Sequence, residues 1–145
     1  MPPVISVKNL VKRYVVGEIE VKALRGVTLD VEPGEFVAIT GPSGSGKSSL
    51  LAAAATLVRP THGLVLIDGA DATGLGDKDL TALRREKIGI IFQQPNLLAS
   101  LTAAEQLIIG DHLRGKSVKA ARAKAAELLD VVGLASSADK RPHQL

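Results

Sequence analysis

The stretch "ITGPSGSGKSSLL", residues 39–51, governs the architecture. Gly41, Gly46, Lys47 and Ser48 fall on the spacing G-x-x-x-x-G-K-[ST], in which a glycine-rich turn cradles phosphates. The context matches as well. Before it, "FVAIT" (36–40) is a continuous apolar run, the pattern of a strand covered on both faces in a parallel sheet. After it, the Ala/Leu-rich run from Lys47 to about Thr56 has strong helix propensity. Strand, glycine loop and helix in that order make a phosphate grip.

Each residue type has a physical reason to be there. Glycines let the backbone approach phosphate oxygens with no Cβ in the way. Successive N–H groups then form a concave anion site at a helix N-terminus, where the helix dipole favours negative charge. Lys47 offers a point charge to the β- and γ-phosphates, and the Ser48 hydroxyl is a candidate ligand for Mg²⁺. The candidate phosphate site is therefore Gly41, Pro42, Ser43, Gly44, Ser45, Gly46, Lys47, Ser48 and Ser49.

Composition narrows the alternatives. The 145 residues are 46 % apolar and 23 % charged, which suits a globular domain with one sizeable core. Aromatics make up only 2 %, so that core is built from Ala, Val, Leu and Ile. The net charge is +3, and the densest basic set, Arg84, Arg85 and Lys87, is diluted by Glu86. That reads as a solvated helix face, and no nucleic-acid partner is expected. There is no cysteine, which excludes disulfides, thiol chemistry and cysteine-based zinc sites. The N-terminus, "MPPVISVKNLVKRY", carries no signal-peptide pattern. The longest run low in charge, "SLLAAAATLV", falls far short of the ~20 residues a membrane span needs. A soluble chain is expected, with any membrane role coming through a partner.

To either side of the loop, residues 4–16 and 21–31 read as strands, the second broken near Gly26. "EPGE" (32–35) reads as a turn. "LVLID" (64–68) and "IGIIF" (88–92) read as further strands, and "KDLTALRRE" as a short helix. Helices are expected over 101–110 and 117–132. The second of these places Val118, Ala121, Ala125, Leu128, Leu129 and Val132 near one face, with Gly133 as its C-terminal cap. "ASSADKRPHQL" reads as loop. "LVLID" has the pattern of the strand that carries a second magnesium aspartate in P-loop enzymes, but Gly69 makes Asp68 part of a "DG" turn signal. "DATG" (71–74) matches D-x-x-G of GTPases, but no N-K-x-D follows to select guanine.

Together these features resemble the first two-thirds of the ATP-binding subunit of an ABC transporter, of the lipoprotein-release and macrolide-exporter type. "GEFVAITGPSGSGKSSLL" resembles that family's Walker A region and "PTHGLVLIDG" its turn-strand-turn segment. "LRREKIGIIFQQPNLLASLTAAE" resembles the approach to its Q-loop, and "RPHQL" the run into its L-S-G-G-Q signature. The resemblance covers residues 4–145. It implies an α/β P-loop NTPase with an incomplete RecA-like core, a small antiparallel β subdomain and the start of an α-helical subdomain, divided as 1–92 and 93–145.

The resemblance also assigns roles. Tyr14 matches the aromatic that stacks on adenine. Gln93 matches the Q-loop glutamine, which reaches Mg²⁺ or the attacking water and whose loop faces the membrane partner. Lys47 stabilises phosphate charge, and the cofactors implied are ATP and Mg²⁺. The intact protein would form a homodimer, bind a transmembrane permease and sit in the cytoplasm at the inner face of the membrane. Two departures stand out: Glu105-Gln106 where Glu-Asn is common, and His62, expected in an exposed turn, where serine is common. The signature beyond its first letter, the Walker B aspartate with the catalytic glutamate, the D-loop and the switch histidine do not occur in these 145 residues. The expectation is a fragment or truncated reading frame in which "FVAIT" presents an unpaired apolar edge. Its isolated form is expected to bind nucleotide weakly or not at all, to be poorly monomeric and not to turn ATP over, which leaves a non-catalytic nucleotide- or partner-binding module as the alternative.

Overall fold

In the computed structural model, which describes residues 2–145, the first strands form a long hairpin. Strand β1 (Ile5–Val16) pairs antiparallel with β2 (Ile19–Val31), from Ile5 opposite Val31 to Val16 opposite Ile19. The register shifts between the Leu10–Val27 and Val11–Arg25 pairs. Gly26, at φ 91°, is the extra residue there, so β2 is bulged where the sequence predicts a break. Strand β3 (His62–Ile67) pairs with the other edge of β1. His62 opens this strand opposite Val11, exposed but within the sheet and not in a turn. A short β4 (Ala70–Asp71) completes the order β2-β1-β3-β4. Asp68 (φ 49°) and Gly69 (φ 79°) both take positive φ between the paired Ile67 and Ala70, the two-residue hairpin turn that a "DG" signal specifies.

Helix α1 (Lys47–Ala54) and helix α2 (Asp77–Lys87) complete the first of two compact units, which ends at Ile90. Its core joins Val7, Leu10, Leu24, Val65 and Ile67 of the sheet to Leu50 and Ala53 of α1 and Leu80 of α2. Leu10 is fully buried. Arg84 of α2 donates to the Thr56 carbonyl at 2.9 Å, which ties α2 to the end of α1.

Two sequence expectations fail here. Neither 36–40 nor 88–92 forms a strand. Phe36 is 94 % exposed and Ile91 fully exposed. A strand forms only where a neighbouring strand takes up its N–H and C=O groups, which water otherwise satisfies, and among the described residues nothing pairs with either one. "FVAIT" is thus unpaired, with Phe36 in solvent and Ile39 partly packed against the core, and it is irregular chain and not a strand edge.

The second unit, from Ile91, is helical. Helix α3 (Ala103–Leu113) starts in a capping box: the Glu105 N–H donates to the Thr102 hydroxyl, and the Glu105 carboxylate accepts from the Thr102 N–H at 2.8 Å. The Thr102 N–H bond to the ionised carboxylate, followed by the Thr102 side chain, holds the Glu105 carboxyl below its ordinary value. Helix α4 (Val118–Val131) buries Ala121, Ala125 and Leu129; Val118, Leu128 and Val132, predicted on the same face, stay partly exposed. It ends as Gly133 suggests, with the Gly133 N–H donating to Asp130 and the Leu134 N–H to Leu129, the two bonds of a Schellman motif. The final segment contains two short 3₁₀ turns, Ala135–Ser137 and Pro142–Gln144.

Candidate functional site

The loop 41–46 delivers the chain from irregular backbone into α1. Gly46 is the N-cap residue, at φ 93°. A side chain there would be strained, and its Cβ would overlap the Ala23 carbonyl oxygen of β2. Glycine is thus required both for the backbone turn and for the close approach of the loop to the sheet. No side chain caps α1, and the first bond of the helix is from the Leu50 N–H to the Gly46 carbonyl, at 2.8 Å. The N–H groups of Lys47, Ser48 and Ser49 therefore meet no helical carbonyl, which is the general condition of a first turn. They stand at the positive end of the helix dipole with Ser48 exposed beside them.

Lys47 closes the loop from the other side. Its ammonium donates to the Gly41 and Pro42 carbonyls, both at 2.8 Å, with the Ser45 hydroxyl at 3.4 Å. The Ser45 N–H reaches the Pro42 carbonyl at 3.3 Å. The result is a closed, glycine-bounded turn with a cation and a row of N–H donors at one helix end. Such a site suits an anion with several oxygens.

A magnesium ion fits this donor set. Among the described residues no cluster of three His, Cys, Asp or Glu side chains could hold a metal. Mg²⁺ takes few protein ligands and is satisfied by a hydroxyl, phosphate oxygens and water, and Ser48 is the residue placed to contribute. Asp68, the rival read from "LVLID", is engaged elsewhere. Its carboxylate lies 2.8 Å from the Lys87 ammonium, which raises the Lys87 pKa.

The other candidates are distributed. Tyr14 lies on β1 opposite Val21 and is 37 % exposed. Lys12, two residues before it, pairs with Leu24, whose side chain borders the space beside Gly46. Register and packing thus bring the Tyr14 end of the hairpin and the loop onto the same stretch of β2. Gln93 belongs to the second unit and is exposed in an irregular segment. Gln106, which departs from the common Glu-Asn pair, braces the turn before its own helix. Its amide donates to the Leu98 carbonyl at 2.6 Å, and its side-chain oxygen accepts from the Leu98 N–H at 3.2 Å. Residue-by-residue reading overlooked Lys12 and Arg59, which a hydrogen bond joins across 47 positions; the only hint was a lysine two residues from an aromatic on one strand.

A G-x-x-x-x-G-K-S loop that opens a helix marks the P-loop nucleotide-binding class. The ABC transporter family model matches residues 24–145. An uncharacterized ABC transporter ATP-binding protein of Thermotoga maritima is 45 % identical over all of this chain and 62 % of its own length. The lipoprotein-releasing system ATP-binding protein LolD of Novosphingobium aromaticivorans is 42 % identical over 99 % of this chain and 64 % of its own. The macrolide export ATP-binding/permease protein MacB of Hyphomonas neptunium is 46 % identical over 99 % of this chain and 22 % of its own. A solved dimeric ATP-binding cassette, in a post-hydrolysis state with ADP and Pi, is 41 % identical; it aligns with a TM-score of 0.90 over 97 % of this chain and 62 % of that one. The chain belongs to the ABC transporter family. It spans less than two-thirds of the length of these relatives.

Proposed function

We propose that this chain is the nucleotide-gripping part of an ABC transporter ATP-binding subunit. The observation that carries this is the loop at 41–49, which closes on the Lys47 ammonium and leads into the first turn of α1, whose N–H groups lack helical partners. Backbone N–H groups along Gly41, Pro42, Ser43, Gly44, Ser45 and Gly46 and into Ser49 receive the phosphates, with proline contributing shape but no donor. Lys47 supplies charge to the β- and γ-phosphates, and Ser48 the hydroxyl for Mg²⁺. Tyr14 stacks on the adenine. Gln93 is the proposed residue that senses Mg²⁺ or the attacking water. In this reading residues 1–92 are the nucleotide part, and 93–145 the Q-loop and helical part.

In the whole protein, two such subunits hydrolyse ATP to power transport through a transmembrane permease, with the subunit docked at the inner face of the membrane. No helix among the described residues is long and apolar enough to cross a membrane. The relatives named for lipoprotein release and macrolide export, and the cassette holding ADP and Pi, support this reading.

The test is ATP binding by calorimetry. Lys47→Ala is expected to weaken it at least tenfold, since a charge-assisted contact to phosphate contributes about 1.5–3 kcal/mol. His62→Ala, an exposed residue outside the site, should change nothing. Equal affinity of Lys47→Ala and wild type would sink the proposal.

A further inference from the structure

We propose that Lys12 is a positioning residue for Tyr14. Its ammonium covers one face of the ring and holds it so that the other face can take a purine base. This deepens the nucleotide reading and rests on it.

The ammonium of Lys12 is fixed by the fold. It donates to the Arg59 carbonyl at 2.8 Å, a residue 47 positions further along the chain. Arg59 is itself held: its guanidinium donates to the Leu75 carbonyl and the Asp77 carboxylate, both at 2.9 Å, and to the Thr73 carbonyl at 3.4 Å. The ion pair with Arg59 also holds the Asp77 carboxyl below its ordinary value. The anchored ammonium then lies 5.1 Å from the centroid of the Tyr14 ring, inside the range where a cation and a π face attract. Arg59 follows α1 and precedes β3, so this one contact links the aromatic to the segment that leaves the phosphate-gripping helix.

The chemistry gives the link a direction. Two aromatic rings stacked face to face repel through their negative π clouds. A cation on the far face draws electron density away from the near one and weakens that repulsion. Anchoring the cation on backbone also restricts the ring before a base arrives, which removes part of the ordering cost of binding. Lys12 therefore acts on the base and not on the phosphates.

That separation makes the inference testable in the full chain. Tyr14 is the only tyrosine and there is no tryptophan, so intrinsic fluorescence reports this ring. ATP should quench it, whereas tripolyphosphate, whose binding is followed by calorimetry, should not. Lys12→Met keeps the apolar stem and removes the charge. It is expected to weaken ATP about three- to tenfold while tripolyphosphate stays within about twofold of wild type. Lys12→Arg should restore the ATP value. An equal loss for both ligands, no loss for ATP, or tighter ATP binding through release of the stacking face would each overturn the assignment. Lack of recovery in Lys12→Arg would as well. Wild-type chain that binds ATP without quenching would overturn the stacking role of Tyr14 and this inference with it. Wild-type chain that binds neither ligand would overturn the nucleotide reading as a whole.

Discussion

The antiparallel sheet and the segments 36–40 and 88–92 are built from the same kinds of residue, yet only the sheet is ordered as strands. In the sheet, β1 has a partner on each side, and Val7, Leu10 and Val65 disappear from solvent beneath α1 and α2. In "FVAIT" and "IGIIF" the side chains are as apolar, but no neighbour takes the backbone hydrogen bonds, and Phe36 and Ile91 face solvent. An apolar run therefore records the surroundings a segment is suited to, whereas a strand exists only when its pairing partner does.

Mutations put this contrast at risk, most of all in the sheet. Leu10→Ala removes a fully buried side chain and should lower stability by about 3 kcal/mol in chemical denaturation. A loss under about 1 kcal/mol, well below the usual cost of such a truncation, would mean that the sheet is no better packed than the irregular segments. Gly46→Ala tests the seam between sheet and loop. It forces a positive φ on a side chain and drives a Cβ into the Ala23 carbonyl, at an expected loss of about 2 kcal/mol. Thermal unfolding would show it, together with weaker phosphate binding.

Phe36→Lys should change stability by less than about 0.5 kcal/mol, because nothing covers the ring. It should also reduce self-association in light scattering. A large loss would show that "FVAIT" finds a partner in solution. The smallest effect lies at the α3 cap. The Glu105 carboxyl is held below its ordinary value of 4.5, first by its hydrogen bond with the Thr102 backbone and then by the Thr102 hydroxyl. Its ionised form is thus favoured in the folded state. The stabilisation is complete above the ordinary value of 4.5 and is lost as pH falls through the lower folded value. Glu105→Gln retains the capping geometry and should abolish that acid dependence, as followed by helical circular dichroism between about pH 6 and about 3.

Much of this was legible in the sequence, for reasons that differ by element. The glycine loop could be read because its chemistry is local: the spacing of Gly41, Gly46, Lys47 and Ser48 determines what the backbone can do there. The "DG" turn, the end of α4 at Gly133 and the four main helices were legible on the same ground. The bulge at Gly26 was visible as a disturbance but not as a bulge, because that depends on which residue of β1 lies opposite. The parallel strands were misjudged because their pairing is not local at all. The anchoring of Lys12 by Arg59 was out of reach for a similar reason, since no short window contains both residues. The role of Gln106 lay in between, eight positions from the Leu98 turn it holds.

The order β2-β1-β3-β4 leaves β2 as a long outer strand with an open flank. Such a flank invites another chain to add itself as a further strand. Along β2 the exposed positions include Glu20, Lys22, Arg25 and Asp30, so a second copy docking there would have to strip water from several charges of both signs. The charges guard much of that border, where Ile19 and Val21 are also exposed, whereas "FVAIT" carries no charged residue at all. When molecules of this chain adhere to one another, the contact should begin at residues 36–40 and spare the charged stretch of β2 from Lys22 to Asp30.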